Sequence, residues 1–384
     1  MRALLLYTFL LCSACALGQE RKPWVVRAVN KLGAFIDTMA TSGIDKRYIE
    51  VPERPWQVML KFNANDMDLR SSATLSQETL AKRGITGENT IEAAIKPNMS
   101  TSIGLWVGYR GYGLGYSYSI SGKDGSNFSF GAMGSNYGIN LRIKSFSTRE
   151  MDIHQWGFYE EGFYDEKITN AELWDDVNIR SAILDGYYMF NGKRFSYAAA
   201  YDQSVKQIHS AGSFLIGAMW FQTTLDYAQR LNAPMVQIMG NIGYMKIQEG
   251  ALGAGYAYNW VPVKNLLFNI TAMPMLVLYN RVKVKVYDSN YDIFLYEDDP
   301  TTGKKAILDD DDSWTDDITI DEVASMTRHS KITLNYDARV SLTYNWDRYF
   351  VNVYGQWNNF RNKYDSNTLK LNDWYVNASL GIRL

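Results

Sequence analysis

Residues 334–384 read LNYDARVSLTYNWDRYFVNVYGQWNNFRNKYDSNTLKLNDWYVNASLGIRL. From Leu334 the positions separate into two sets, with Leu334, Tyr336, Ala338, Val340, Leu342, Tyr344 and Trp346 on one side and Asn335, Asp337, Arg339, Ser341, Thr343 and Asn345 on the other. Successive side chains of a strand point to opposite faces, so this is a strand with one apolar and one polar face. After the turn Asn345-Trp346-Asp347-Arg348 the alternation resumes, with Val351, Val353 and Trp357 against Asn352, Gln356 and Asn358. It returns once more to the last residue, where Trp374, Val376, Ala378, Leu380, Ile382 and Leu384 oppose Tyr375, Asn377, Ser379, Gly381 and Arg383.

A soluble sandwich shows the same alternation, so the pattern alone does not choose between water and lipid. Four further features choose. The strands are long, Trp or Tyr stands near their ends, the polar face carries charges such as Asp337, Arg339 and Arg383, and the alternation runs to the final residue. A transmembrane antiparallel β-barrel requires each of them: apolar residues toward lipid, aromatic girdles, a polar interior, and a last strand that closes on the first. A terminal strand of this kind also resembles the one by which Gram-negative outer-membrane barrels are recognised for assembly, although Leu384 stands where Phe is usual. Outer-membrane lipid and the barrel-assembly machinery are therefore the expected partners.

The 384 residues carry a formal charge of -2, which argues against nucleic acid as a partner because that would leave a basic stripe. Residues 1–18 read as a signal peptide: Arg2, an apolar run from Ala3 to Leu11, then small residues, with cleavage near Gly18. Both cysteines, Cys12 and Cys15, lie in that region, so the mature chain is expected to use neither disulfide nor thiolate. Lipidation of Cys15 is the alternative, and it is opposed by Cys12 where Leu is usual. Elsewhere no apolar run reaches 18 residues, which leaves strands as the means of crossing a bilayer.

Residues 19–55 read as a periplasmic helix and linker, and 56–384 as the barrel. Trp24, Ala28, Leu32, Phe35 and Ile36 recur at helical spacing over 21–40, with Pro23 suited to the first turn; the helix either leans on the barrel rim or enters the lumen as a plug. The first barrel strand is expected at Trp56, Val58, Leu60, Phe62 and Ala64, and others at about 91–109, 112–120, 128–143, 182–190, 194–207, 212–228 and 250–261. Asn191-Gly192 is the strongest short hairpin signal, Pro274 marks a bulge or an unpaired amide, and 285–328 reads as a long acidic loop including Asp309 to Asp312 and Asp316-Asp317. The count is about 12 strands, or 14 if 151–160 and 236–247 also pair.

The run YYMFNGKRFSYAAAYDQSVKQIHSAGSFLIGAMW at 187–220, with GYAYNWVPVKNLL at 255–267, resembles a family of Gram-negative outer-membrane barrels built on a domain of unknown function. The resemblance covers most of the mature chain, implies fold and location, and carries over no catalytic residue.

Catalysis would have to use His154, His209 or His329, and His209-Ser210 is the tempting pair. Neighbours in a strand point to opposite faces, so the two would meet only in a turn. No zinc, P-loop or GxSxG spacing occurs, and the acidic loop lacks the ligand spacing and turn glycine of a calcium site. No catalytic, cofactor or metal residue is therefore assigned. Lys61, Arg142, Lys144, Asp337, Arg339 and Arg383 face inward, as in a pore lining or a salt-bridged filled interior. Gly113, Gly115, Ser117, Gly253, Gly255 and Asn259, also inward, are expected to widen the lumen into a narrow, weakly selective passage for small hydrophilic solutes. The expectation is a non-catalytic outer-membrane barrel, either such a pore or a structural, surface-presenting one. A lipid hydrolase and a soluble periplasmic all-β binding protein are the alternatives.

Overall fold

The computed structural model describes residues 24–75, 89–95, 100–121, 125–159, 162–239, 241–290, 296–298, 305–307, 318–329, 332–364 and 367–384. The predicted signal region and the run Asp309 to Asp312 with Asp316-Asp317 lie outside them. In chain order the elements are α1 (Trp24–Thr41), β1 (Ile49–Glu50), β2 (Trp56–Leu75), β3 (Asn89–Ile95), β4 (Ser100–Tyr109), β5 (Tyr112–Ser121), β6 (Gly125–Met133), β7 (Tyr137–Tyr159) and β8 (Gly162–Met189). There follow α2 (Ala198–Tyr201), β9 (Lys206–Gln207), β10 (Ala211–Asp226), α3 (Ala233–Ile238), β11 (Ile242–Val263), β12 (Leu266–Ser289), β13 (Tyr296–Asp298) and β14 (Lys305–Ile307). The last four are β15 (Ile320–His329), β16 (Thr333–Trp346), β17 (Tyr349–Tyr364) and β18 (Asn367–Arg383).

Twelve strands form one closed antiparallel ring: β2, β4, β5, β6, β7, β8, β10, β11, β12, β16, β17 and β18, which returns to β2 with Arg383 opposite Gln57 and Asn367 opposite Ala73. The segments that suggested 14 strands are the outer part of β7 and the α3–β11 stretch. The β5–β6 hairpin is short. Beyond it β3, which precedes β4 in the chain, pairs directly with both β2 and β7, so the ring narrows away from the turn ends. In the same way β15 continues the course of β16 along β12. The ends of the expected 285–328 loop are thus strands, 285–289 in β12 and 320–328 in β15. Pro274 faces Tyr336 of β16, and the ladder to β11 is interrupted opposite it, as expected of a residue with no amide proton.

One end of the ring carries the turns at 110–111, 134–136, 264–265 and 347–348 together with Trp56 and Leu384, whose backbones bond each other at 3.2 and 2.8 Å. The C-terminal turn of α1 sits at this end, where Asp37 bonds Tyr109 and Arg110 and the Met39 carbonyl accepts from Ser135. The outward positions form an apolar belt, with Leu114 and Leu252 each 54% exposed. Trp260 meets Phe268 and Tyr344 meets Trp346 at the turn end of the belt, while Trp220 meets Tyr279 and Tyr336 meets Trp357 at the other. On β16 the two rows are ten residues apart, which at ~3.3 Å per residue and about 40° of tilt is ~25 Å, the height of the lipid-facing band of a membrane barrel.

The interior is filled. Toward the far end it is an apolar core in which Val177, Ile179, Phe221, Met245, Val282 and Phe360 pack with Met235 and Val236 of α3. Toward the turn end the 190–210 connection folds inward and buries Phe195, Tyr197, Ala198, Ala199 and Ala200. The expected strand at 194–207 is therefore this plug, and Asn191-Gly192 begins it instead of closing a two-residue hairpin. Nor do the small inward residues leave an open channel. Gly113 and Gly115 lie under the Trp106 ring, Gly253 and Gly255 under Met273 and Met275, Ser117 binds Asn63, and Asn259 binds the plug.

A Cβ on Gly113 would fall 2.6 Å from the Trp106 ring, whereas one on Gly186 would meet nothing closer than 3.8 Å. Gly113→Val is expected to lower stability by about 1–3 kcal/mol through overpacking. Gly186→Ala should be close to neutral, and denaturant titration of the folded protein, followed by the shifted migration of its unheated band relative to the boiled one in detergent gels, distinguishes the two.

Candidate functional site

The plug is held by lumen-facing side chains acting on its backbone. Asn259 Nδ2 donates to the Ser196 carbonyl at 2.8 Å, Asn352 Nδ2 to that of Ala200 at 2.9 Å, and Gln57 Nε2 to that of Asp202 at 3.2 Å. Arg383 donates twice to the Gln203 carbonyl, at 3.0 and 2.8 Å, and once to Asn345. These donors satisfy one carbonyl of the four-residue helix, that of Ala200, and three that flank it, at Ser196, Asp202 and Gln203. Gln207, at the foot of the plug, brings Nε2 within 2.6–3.3 Å of three carbonyls while its Oε1 accepts from Ser196 and Asn259. Its strand β9 pairs with β1, so the linker after α1 is stitched to the plug.

Asp45 adds to that joint, accepting from Arg47 at 2.8 Å and lying 3.7 Å from Arg194. The Arg47 hydrogen bonds lower its pKa to about 2. This contribution is complete above the ordinary carboxylate range and is lost as pH falls through about 2.

Above the plug lies a charged layer. Asp337 and Arg339, two apart on β16, share the lumenal face. Arg339 bonds both Asp337 oxygens at 2.6–3.0 Å and reaches Asp185 at 3.1 Å, with Tyr187 and Tyr197 beside its guanidinium. Gln356 donates to Asp337, and Asn140 donates to Asp185. Lys144 pairs with Asp373 at 3.0 Å. Of the inward charges expected from the sequence, Lys144, Asp337 and Arg339 form ion pairs in this layer and Arg383 grips the plug, whereas Lys61 lies over the Trp106 ring and Arg142 beside the Tyr375 ring.

The histidines are not brought together. His209 bonds the Arg47 carbonyl and stands edge-on to Tyr48, while the neighbouring Ser210 accepts from the Val261 amide. His154 bonds Asp165 at 2.7 Å and lies against Trp156 on the exposed β7–β8 hairpin; His329 stands edge-on to Tyr279. Among the described residues no three His, Cys, Asp or Glu side chains gather as a metal site. What sequence reasoning missed is that Gln57, Gln207, Asn259 and Asn352 bind an inserted segment; the sequence shows Asn259 and Asn352 only as polar-face residues. For Gln57, Asn259 and Asn352 the one signal is an amide side chain on the lumenal face near the turn end; Gln207 belongs to the inserted connection and has none.

Arg339 is 5% exposed, and removing it strands two buried carboxylates. Arg339→Met is expected to cost about 3–5 kcal/mol, and adding Asp185→Asn and Asp337→Asn should recover part of it, as read by urea unfolding of the purified barrel.

No curated protein matches the chain. Among solved structures it is similar to the outer membrane protease OmpT of Escherichia coli, at 11% identity and TM-score 0.29, over 87% of this chain and 97% of that one. It is also similar to the toluene transporter TodX of Pseudomonas putida, at 7% identity and TM-score 0.29, over 87% and 90%. A third is the translocator domain of the autotransporter NalP of Neisseria meningitidis, at 7% and 0.19, over 94% and 97%. Likenesses this slight say nothing of what the chain does. The profile described as a domain of unknown function, DUF4421, matches residues 44–383, from the linker after α1 through the plug and the ring to β18, and the chain belongs to that family.

Proposed function

We propose that the protein is a non-catalytic outer-membrane barrel whose closed lumen makes it an anchor for structures presented at the cell surface. The filled interior carries this reading: a plug enters from the turn end and an apolar core occupies the far end. The uncharged belt, bounded by two aromatic rows ~25 Å apart, supports lipid as its surroundings and insertion by the barrel-assembly machinery. The passage for small hydrophilic solutes loses its support once Trp106 and the methionines occupy the space beside the glycines. The outer parts of β7 and β8, with residues 162–170 exposed throughout, and the β12–β15 pair extend past the belt and are the parts presented. The turn end with α1 then faces the periplasm.

Full-length protein in planar bilayers is expected to be electrically silent, and deletion of residues 194–207 to produce steady conductance while the gel-shifted folded band persists. Steady channels from the intact protein would overturn the closed reading. Trypsin added to intact cells should cut at Lys304-Lys305 and spare Lys31 in α1; the reverse pattern would invert the orientation.

A further inference from the structure

On the outward face of β11 and β12, beyond the stacked rings of Trp220 and Tyr279, the strands set cation against cation. Arg281 and Lys283 alternate with buried Val282 and Val284, and Lys246 stands between buried Met245 and Ile247, so all three point away from the lumen. Lys246 is directly opposite Lys283 in the ladder, and Arg281 is opposite Gln248. Arg180 of β8 stands on the same rung, with Thr224 of β10 between it and Lys246. Among the described residues no carboxylate lies within ion-pair distance of these four cations. Lys285, one rung farther, takes Glu322 at 2.6 Å, and Asp226 accepts from the Ala228 amide. The pattern recurs on the other side of the ring, where Arg361 of β17 faces Lys370 of β18 and Lys370 faces Arg70 of β2, itself 3.6 Å from Glu92. Arg361 and Lys370 lie, like Lys283, four residues beyond an aromatic of the far row, here Trp357 and Trp374. Among the described residues every Lys or Arg set opposite another Lys or Arg in the ladder is at this level, and none is at the turn end.

Like charges directly opposite across two strands destabilise the pair, and among the described residues no carboxylate offsets Lys246 and Lys283. At ~3.3 Å per residue and about 40° of tilt, Arg281 stands ~5 Å and Lys283 ~10 Å beyond Tyr279, at the rim where hydrocarbon gives way to headgroups. Interfacial rings with cations just beyond them match a lipid whose chains are apolar and whose head is anionic. Neighbouring strands are ~4.8 Å apart, so one phosphate group reaches both lysines. We propose that this face of β11 and β12 binds the phosphate of an anionic lipid, held between Lys246 and Lys283 with Arg281 below, its acyl chains lying along the belt beneath Trp220 and Tyr279. This site rests on the belt being lipid-facing, and with the turn end in the periplasm its lipid belongs to the outer leaflet.

Purified full-length protein in neutral detergent, titrated with dioctanoyl phosphatidic acid or dioctanoyl phosphatidylcholine and read by native mass spectrometry, tests this. Phosphatidic acid is expected to bind the more tightly. Lys246→Gln combined with Lys283→Gln should weaken its first binding step about tenfold, and Lys264→Gln, in a turn at the other end, should leave it unchanged. Without lipid the double variant should melt no lower than the native protein, since it loses a like-charge pair. Equal affinity for the two lipids, a double variant that binds phosphatidic acid as the native protein does, or a lower melting point of the lipid-free double variant would overturn the proposal. Displacement of phosphatidic acid by inorganic phosphate at equal ionic strength would overturn it too, by making this a site for free phosphate. Flotation with phosphatidylcholine vesicles tests the lipid-facing belt separately: a protein that floats yet shows no preference for phosphatidic acid loses the site and keeps the belt.

Discussion

The ladder between β18 and β2 is the interaction on which everything else rests. Residues 367–383 pair with 73–57, and a sheet that would otherwise leave two open edges becomes a ring whose backbone groups are satisfied by neighbours. Closure also creates an inside. Eight strands enclose about as much space as their own side chains fill, and twelve enclose more. The excess must hold water or protein. Here it holds protein, supplied by two connections, 190–210 from the turn end and 227–239 from the far end.

The two fillings use different chemistry because the lumenal face of the strands differs along its length. Near the turn end that face is Gln57, Asn259, Asn269, Asn352 and Arg383, which can donate to a peptide backbone, so the inserted segment can be a short helix with exposed carbonyls and small side chains such as Ala198 to Ala200. The last residue of that helix, Tyr201, packs on Tyr354 of the wall, and Tyr354 on Tyr375, each pair at 5.6 Å between ring centres. Farther along, Met219, Phe221, Met273, Met275 and Val277 turn inward, and what meets them is the apolar side of α3. The Asp337–Arg339–Asp185 cluster sits between these regions.

The barrel itself was legible in the sequence because a period of two survives wherever one face is apolar and the other polar. Leu334 to Trp346 and Trp374 to Leu384 show it without interruption, and both their parity and their outward exposure are as read. The inward charges were legible for the same reason. The plug was not. Phe195, Tyr197, Tyr201 and Val205 alternate well enough with Ser196, Asp202 and Ser204 to pass for a strand, and nothing local distinguishes a segment folded into a lumen from one in the wall. Its membership in the family-specific run at 187–220 marked the stretch without revealing its place. The glycines misled differently. An inward Gly113 signals room beside the backbone, and the sequence does not say that Trp106, on the neighbouring strand, takes that room.

The narrowing of the ring explains why the far end closes with an apolar core. Beyond the β5–β6 hairpin, β3 bridges β2 and β7 directly, so fewer strands surround the lumen and their inward side chains come within reach of one another. Ala93 and Ile95 on β3 and Met151 on β7 then join the same cluster as Leu225, Met245 and Val284 from the opposite wall. A water-filled constriction lined by such residues would be unfavourable, whereas packing them excludes water at ~25 cal/mol for each Å² of apolar surface buried. The shortness of one hairpin thus determines the dryness of the far end, and that dry end is the platform from which β7, β8, β12 and β15 extend.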